Sequence, residues 1–183
     1  MTLPELISDL RGDAQFMMNV AAWRTLPAQP AQFAPIPERL APALHAALHR
    51  RTIEQLYSHQ ADALNHALGG QNVVVVTPTA SGKTLCYLLP TFDALLNDAR
   101  ARALFLYPTK ALAQDQLAEL NSFIALLTDP HPPADGAGNP SAGLSAAVYD
   151  GDTPSSARSR ICSQARIILS NPDMLHMGIL PYH

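Results

Sequence analysis

The residues richest in chemistry are Thr77-Pro-Thr-Ala-Ser-Gly-Lys-Thr84. They follow a β-branched run, Val73-Val-Val-Val, and precede an apolar stretch over residues 85–96. A turn from a strand into a helix aims backbone N–H groups from the helix N-terminus at anionic oxygens. Gly82 lets the backbone come close to a phosphate. Lys83 offers a cation to β- and γ-phosphates, and the Thr84 hydroxyl can ligate Mg²⁺. The chemistry expected of this segment is nucleoside triphosphate binding. The usual pattern has glycine at its first position, where this chain has Thr77.

Three more segments begin helices just after apolar runs. Tyr107-Pro-Thr-Lys110 offers Thr109 as an N-cap. Asp152-Thr-Pro154 offers Thr153 as an N-cap with Pro154 at the first helical position, and Ser170-Asn-Pro-Asp173 offers Asn171 followed by Pro172. Taken singly, each is better explained by ordinary capping with no ligand. Together they matter because the strands of a parallel sheet end on one edge, where ligands bind. Four helix N-termini would then face one side. One could hold nucleotide phosphate, and the others the phosphates of a nucleic-acid backbone.

The elements that must position these residues follow from periodicity. Residues 73–77 read as a strand buried on both faces, 103–107 as a second, 145–149 as a third and 166–170 as a fourth. Helices are expected over 85–96, 110–127, 154–163 and 172–179. Leu112, Gln116, Leu120 and Ile124 should share one side of the second of these. Alternating strands and helices imply a right-handed parallel α/β sheet. Upstream, a short helix is expected over 4–10, extended coil over 23–37, and helices over 37–48 and 57–68, with Leu40, Leu44 and Leu48 on one face. Residues 128–143, with four Pro and three Gly, read as a surface loop. The boundaries expected are an extension over 1–52 and a nucleotide lobe over 53–183.

Composition narrows the class. The 183 residues are 48% hydrophobic and 15% charged, which excludes wholesale disorder. The net charge of −3 supplies no global attraction for nucleic acid, so any such contact is local. Ten of the twelve basic residues are Arg; the two lysines, Lys83 and Lys110, both fall in the segments above. Cys86 and Cys162 are too far apart in sequence for a disulfide scaffold and fit a reducing cytosol, so the protein is expected to be cytoplasmic. No run of about 20 apolar residues suggests a membrane span. His59 and His176 lack partners at metal-ligand spacing, and Met17, Met18 and Trp23 read as packing residues.

The order of these segments resembles the first RecA-like lobe of a superfamily-2 DEAD/DEAH-type helicase. Leu56-Tyr-Ser-His-Gln60 resembles the Q motif, residues 77–84 motif I, and Tyr107-Pro-Thr-Lys-Ala-Leu-Ala-Gln-Asp-Gln116 motif Ia. Tyr149-Asp-Gly-Asp-Thr153 is similar to motif Ib and Ser170-Asn-Pro-Asp-Met174 to motif Ic. Within the superfamily the chain is most similar to the MrfA-like bacterial DNA-repair helicases, a RecQ4-related group. The resemblance implies an α/β, RecA-like P-loop NTPase lobe that is incomplete and carries a helical or irregular N-terminal extension. It implies ATP and Mg²⁺ as cofactors, with Gln60 reading the adenine edge. Thr79, Ala80, Ser81, Gly82, Lys83 and Thr84 would cradle the phosphates. Lys83 and Thr84 would serve catalysis, and Thr84 would bind the metal through its hydroxyl. Single-stranded nucleic acid, taken as DNA, would lie along Pro108, Thr109, Lys110, Gly151, Asp152, Thr153, Asn171 and Pro172. Asp152 cannot pair with phosphate and would orient a neighbour or cap a turn. Gln114 and Gln116 read as exposed helix polars.

The family's Asp-Glu-x-His box, its Ser-Ala-Thr-like motif and its second lobe are absent from these residues, so the chain reads as a truncated first lobe. The alternatives are a non-catalytic module that binds nucleotide or nucleic acid, and a different P-loop NTPase. A lobe short of strands should also expose part of its apolar face and self-associate. Phosphoryl transfer needs a positioned metal ion and charge stabilisation together, and an arginine finger alone contributes ~10³–10⁵ in rate. The 183-residue chain is therefore expected to release no phosphate from ATP above background. Turnover by this chain in a phosphate-release assay would overturn that expectation.

Overall fold

The computed structural model describes residues 1–27, 30–127 and 143–182. The chain divides into a short unit, Met1–Ala31, and a larger one, Gln32–His183. The short unit holds α1 (Leu3–Gly12) and α2 (Ala14–Met17). Thr2 and Glu5 form a capping box at the start of α1, and the Asp13 side chain caps α2. Trp23 packs under the Arg11 guanidinium, 4.7 Å from its ring centre. Met18 is exposed, contrary to the packing role expected for it.

The larger unit opens with β1 (Phe33–Ala34), α3 (Pro42–Arg50), β2 (Leu56–Tyr57), α4 (Ser58–Leu68) and α5 (Thr84–Asn97). It continues with β3 (Ala103–Leu106), α6 (Lys110–Leu127), β4 (Ala146–Val148), α7 (Ser155–Gln164), β5 (Ile167–Ser170) and α8 (Pro172–Met174). A π-helical turn, Leu175–Ile179, and a 3₁₀ turn, Leu180–Tyr182, follow. β1 and β2 pair antiparallel, with Phe33 opposite Tyr57. β3, β5 and β4 form a parallel sheet in that order, so β5 is central. Ala103 and Ala146 both lie opposite Ile167. This α/β arrangement of a parallel sheet with flanking helices is the expected one. The loop expected over 128–143 lies outside the described residues except for Gly143.

The helices bury leucine and phenylalanine against the sheet. Leu44 and Leu48 of α3, Leu64 of α4, Leu88, Leu89 and Phe92 of α5, and Leu120 and Phe123 of α6 join Ile167 and Leu169 in one core. The rings of Phe92 and Phe123 lie 5.1 Å apart. The buried side of α6 is Ala113, Leu120, Phe123, Ile124 and Leu127; Leu112, expected there, is exposed because it is out of phase with that stripe. Two side chains tie the helices to the chain around them. Asp93, buried on α5, accepts the Ala41 N–H at 2.8 Å, at the entrance to α3. Arg166 donates to the carbonyls of Leu95 (2.7 Å) and Asp98 (2.6 Å) and closes the C-terminal end of α5.

One expected strand does not form. Residues 73–77 pair with no strand among the described residues, and Val74 and Val76 are each 89% exposed. β-branched composition favours an extended backbone, but a strand also needs neighbours to accept its N–H and C=O groups. β3 sits at the sheet edge with Leu104 and Leu106 exposed. A cavity of about 730 Å³ is lined by Val73, Val75, Cys86, Tyr87 and Ala103. Burial in the α5 wall pushes the Cys86 thiol above its ordinary pKa.

Two outcomes follow from this packing. Phe92→Ala should lower stability by about 3–5 kcal/mol in denaturant titration, since a buried aromatic is lost and the cavity collapses only in part. The free edge and bare valines should drive self-association of the 183-residue chain. Val74→Thr with Val76→Thr should reduce the sedimenting oligomer without lowering the melting temperature.

Candidate functional site

The loop over residues 77–83 connects the unpaired valine run to α5. Its backbone visits the left-handed region at Ala80 (φ +59°) and Gly82 (φ +76°). A residue other than glycine costs about 1–2 kcal/mol there, so the surroundings must hold Ala80 in place. Two contacts inside the loop do so. The Thr77 and Ser81 hydroxyls lie 2.6 Å apart. Lys83 folds back, its Nζ donating to the carbonyls of Thr77 (2.9 Å) and Pro78 (2.6 Å), with Ser81 Oγ at 3.5 Å. Thr79 and Ala80 sit exposed at the tip, and Thr84 is the first residue of α5.

Gln60 fastens this loop to α4. It is 3% exposed, yet both ends of its amide are satisfied. Nε2 donates to the Gly82 carbonyl at 2.8 Å, and Oε1 accepts the Tyr57 N–H at 2.9 Å. A Cβ at position 82 would stand 2.6 Å from Gln60 Nε2. Glycine is thus required twice over, by its φ and by this approach.

Beside Gln60 stands an aromatic ladder. Phe33 of β1 stacks on Tyr57 at 5.2 Å, and Tyr57 stacks on His59 at 5.8 Å. Phe33 and Tyr57 expose about half and two-fifths of their surface (55% and 40%) and line a cavity of about 330 Å³ with Thr52, Gln60 and Leu85. Phe33 was missed by sequence reasoning. The stretch around it reads as coil, and only the β1–β2 pairing carries it to Tyr57.

The other expected residues gather where the three parallel strands end. The Tyr107 N–H donates to the Ser170 carbonyl at 2.9 Å, and the buried Ser170 hydroxyl donates to the Tyr149 carbonyl at 2.6 Å. The segments after β3, β4 and β5 therefore emerge side by side. Pro108, Thr109 and Lys110 are exposed at the start of α6, where the Thr109 hydroxyl accepts the Leu112 N–H at 3.2 Å. Asn171 caps α8, accepting the Met174 N–H at 2.8 Å, with Pro172 following it. Thr153 does not cap α7, whose N-cap is Pro154. Buried Asp150 competes for it. The Asp150 carboxylate accepts the N–H groups of Asp152 (3.0 Å) and Thr153 (3.1 Å), while the Thr153 hydroxyl accepts the Asp150 N–H at 2.9 Å.

Lys110 crosses from α6 to this loop. Its Nζ lies 2.6 Å from the Asp152 carboxylate and is the nearest atom to a Cβ built on Gly151. The Asp152 hydrogen bond above all holds the Lys110 pKa above its ordinary value, against desolvation and with help from the charges of Asp152 and Asp150. The pair is exposed, so it adds little to stability. Behind this edge, Tyr87 donates to Gln116 at 3.0 Å, so Gln116 is engaged while Gln114 is exposed. Burial and the Tyr87 hydroxyl push the Tyr107 pKa well above that of a free tyrosine. Among the described residues, no cluster of three or more His, Cys, Asp or Glu could hold a metal ion. No helix among them is long and apolar enough to cross a membrane.

Comparison with known proteins gives a consistent picture. A family model described as DEAD/DEAH box helicase matches residues 57–181. The chain is 43% identical to the uncharacterized ATP-dependent helicase YprA of Bacillus subtilis, an alignment covering 100% of this chain and 22% of that protein. It is 37% identical to the ATP-dependent helicase hrq1 of Schizosaccharomyces pombe over 98% of this chain and 16% of that protein. Among solved structures, DUF1998 helicase MrfA bound to DNA and AMPPNP superposes with a TM-score of 0.85 at 42% identity, covering 100% of this chain and 23% of that one. The DEAD-box helicase Mss116 bound to ssRNA and UDP-BeF, at 20% identity and a TM-score of 0.61, shows the shared fold over 76% of this chain and 28% of that one. The chain thus spans less than a quarter of the length of these curated relatives.

Gly82→Ala tests the clamp on the loop. The new Cβ must displace the Gln60 amide and adopt a left-handed φ, a cost of about 1–2 kcal/mol. Thermal unfolding should shift down, and titration with a fluorescent ATP analogue should show binding weakened at least tenfold.

Proposed function

The chain belongs to the DEAD/DEAH box helicase family, and we propose that it forms the ATP-binding lobe of an ATP-dependent DNA helicase acting in DNA repair. The observation that carries this reading is the Gln60 amide, which joins the cavity beside Phe33 and Tyr57 to the Gly82 carbonyl of the strained loop. One buried side chain thus connects a pocket suited to a flat base with a loop suited to phosphates. We assign the lobe to residues 53–183, with Phe33 contributed by the preceding stretch.

The loop's own residues fit a triphosphate. Lys83 already satisfies its ammonium with carbonyl oxygens, so phosphate oxygens can replace those acceptors without the lysine leaving the loop. Residues 79–84 provide the backbone N–H groups of the α5 N-terminus. Mg²⁺, when bound with the nucleotide, neutralises developing phosphoryl charge, and Thr84 is the residue here that would hold it. Phe33 and Tyr57 would stack on the base, and Gln60 would register its presence to Gly82.

The ends of β3, β4 and β5 form the proposed track for single-stranded DNA. Pro108, Thr109, Lys110, Gly151, Thr153, Asn171 and Pro172 present backbone and hydroxyl groups suited to sugar and phosphate, which position a strand without reading its sequence. Asp152 serves by holding Lys110 across the track. The DNA assignment draws on the MrfA structure solved with DNA.

ATP hydrolysis by the full-length protein, measured with single-stranded DNA, single-stranded RNA or neither, tests this reading. Turnover stimulated by DNA and abolished in Lys83→Ala is expected. Absence of turnover under every condition would favour a binding module instead.

A further inference from the structure

Lys110 and Asp152 meet across the edge where the three parallel strands end, on a turn that is built without the Asp152 carboxylate. Buried Asp150 accepts the N–H groups of Asp152 and Thr153, and the Thr153 hydroxyl accepts the Asp150 N–H. Arg158 fastens the same turn from α7. It donates to the Thr153 carbonyl at 3.1 Å, and its guanidinium lies 5.7 Å from the centre of the Tyr149 ring. The Asp152 carboxylate takes part in none of these bonds. It is 78% exposed and accepts from Lys110 Nζ at 2.6 Å. Neither the turn nor the stability of so exposed a pair explains why an acid stands here.

The proposed track offers a reason. Lys110 Nζ lies over the backbone of Gly151, 3.8 Å from where a Cβ would stand. A cavity of about 410 Å³ opens beside it, lined by Lys110, Gln114, Asp150, Asp152 and Thr153. An ammonium bonds a carboxylate and a phosphate in the same way, through short charge-assisted N–H···O contacts. Asp152 therefore gives Lys110 what a phosphate of the strand would give it. Paired, the two side chains bring no net charge to a strand, whereas Lys110 alone brings one positive charge. The Asp152 N–H bond to Asp150 fixes its backbone within reach of the lysine.

We infer that Asp152 stands in for a backbone phosphate on Lys110, so that a single strand must displace the carboxylate to gain that lysine. Its role is to limit how tightly the track holds nucleic acid. This rests on reading the ends of β3, β4 and β5 as the path of the strand.

The test uses the full-length protein without nucleotide. Binding of a labelled single-stranded DNA is followed by anisotropy from low to high salt, with melting in parallel. Asp152→Asn should bind about three- to fivefold more tightly at low salt, the strength of an exposed ion pair, with melting unchanged. Its log–log salt slope should steepen by about 0.7, one more phosphate neutralised on a single strand. Lys110→Ala should weaken binding and flatten the slope. Asp173→Asn removes another exposed carboxylate, at the start of α8, and should change affinity less, its charge being screened. An Asp152→Asn protein that binds no more tightly, or is matched by Asp173→Asn, would overturn the inference and leave the pair as a surface contact. A Lys110→Ala protein with unchanged affinity and slope would overturn the track reading itself, and the role of Asp152 with it.

Discussion

The buried hydroxyl of Ser170 is the point on which the edge at the ends of the parallel strands depends. It stands at the end of β5, the central strand, and donates to the Tyr149 carbonyl, while its own carbonyl receives the Tyr107 N–H. These two bonds set three chain segments side by side just where each leaves the sheet. Any one segment could cap a helix anywhere on a protein surface. Held in register by a buried tie, they form a continuous edge on which Lys110 and Asp152 can meet. Burial matters here, because an amide or hydroxyl without water must find a partner inside the protein.

The loop before α5 obeys a similar constraint with a different residue. Gln60 is buried and satisfied at both ends, and Gly82 cannot accept a side chain without displacing it. The strain at Ala80 and the back-folded Lys83 sit within the same loop. Among the described residues, the two non-glycine residues with left-handed φ are Thr52, which lines the cavity beside Phe33 and Tyr57, and Ala80 of this loop. Such angles are expected where a fold pre-arranges groups for a ligand rather than for stability alone.

The two sides are joined by α5, which carries the loop at its N-terminus and the core residues Leu88, Leu89 and Phe92 along its length. On one flank Tyr87 packs edge-on against Phe105 of β3, with 5.4 Å between ring centres. The valine run before α5 and the edge of β3 each keep apolar side chains in solvent. The core formed by α3, α4, α5 and α6 is well packed, while this part of the sheet is bare. The fold holds its helices and its central strands without closing that gap.

Local sequence determined much about this protein. Thr77-Pro-Thr-Ala-Ser-Gly-Lys-Thr84 carries its own turn chemistry, and the helix starts at Thr109 and Asn171 are legible because their caps are made within a few residues. The helices of the core and the strands of the parallel sheet follow from apolar periodicity. Only tertiary structure decided the rest. Residues 73–77 have strand composition but find no pairing neighbour among the described residues, since pairing is a property of two segments. Thr153 has a capping side chain, but its hydroxyl is engaged by buried Asp150, accepting the Asp150 N–H and donating to its carboxylate. Phe33 reaches the cavity beside Gln60 because β1 pairs with Leu56 and Tyr57 of β2. The strain at Thr52 comes from the way α3 closes. Hydrogen bonds within a turn are written in adjacent letters. Those that cross between elements depend on which segments the fold brings together.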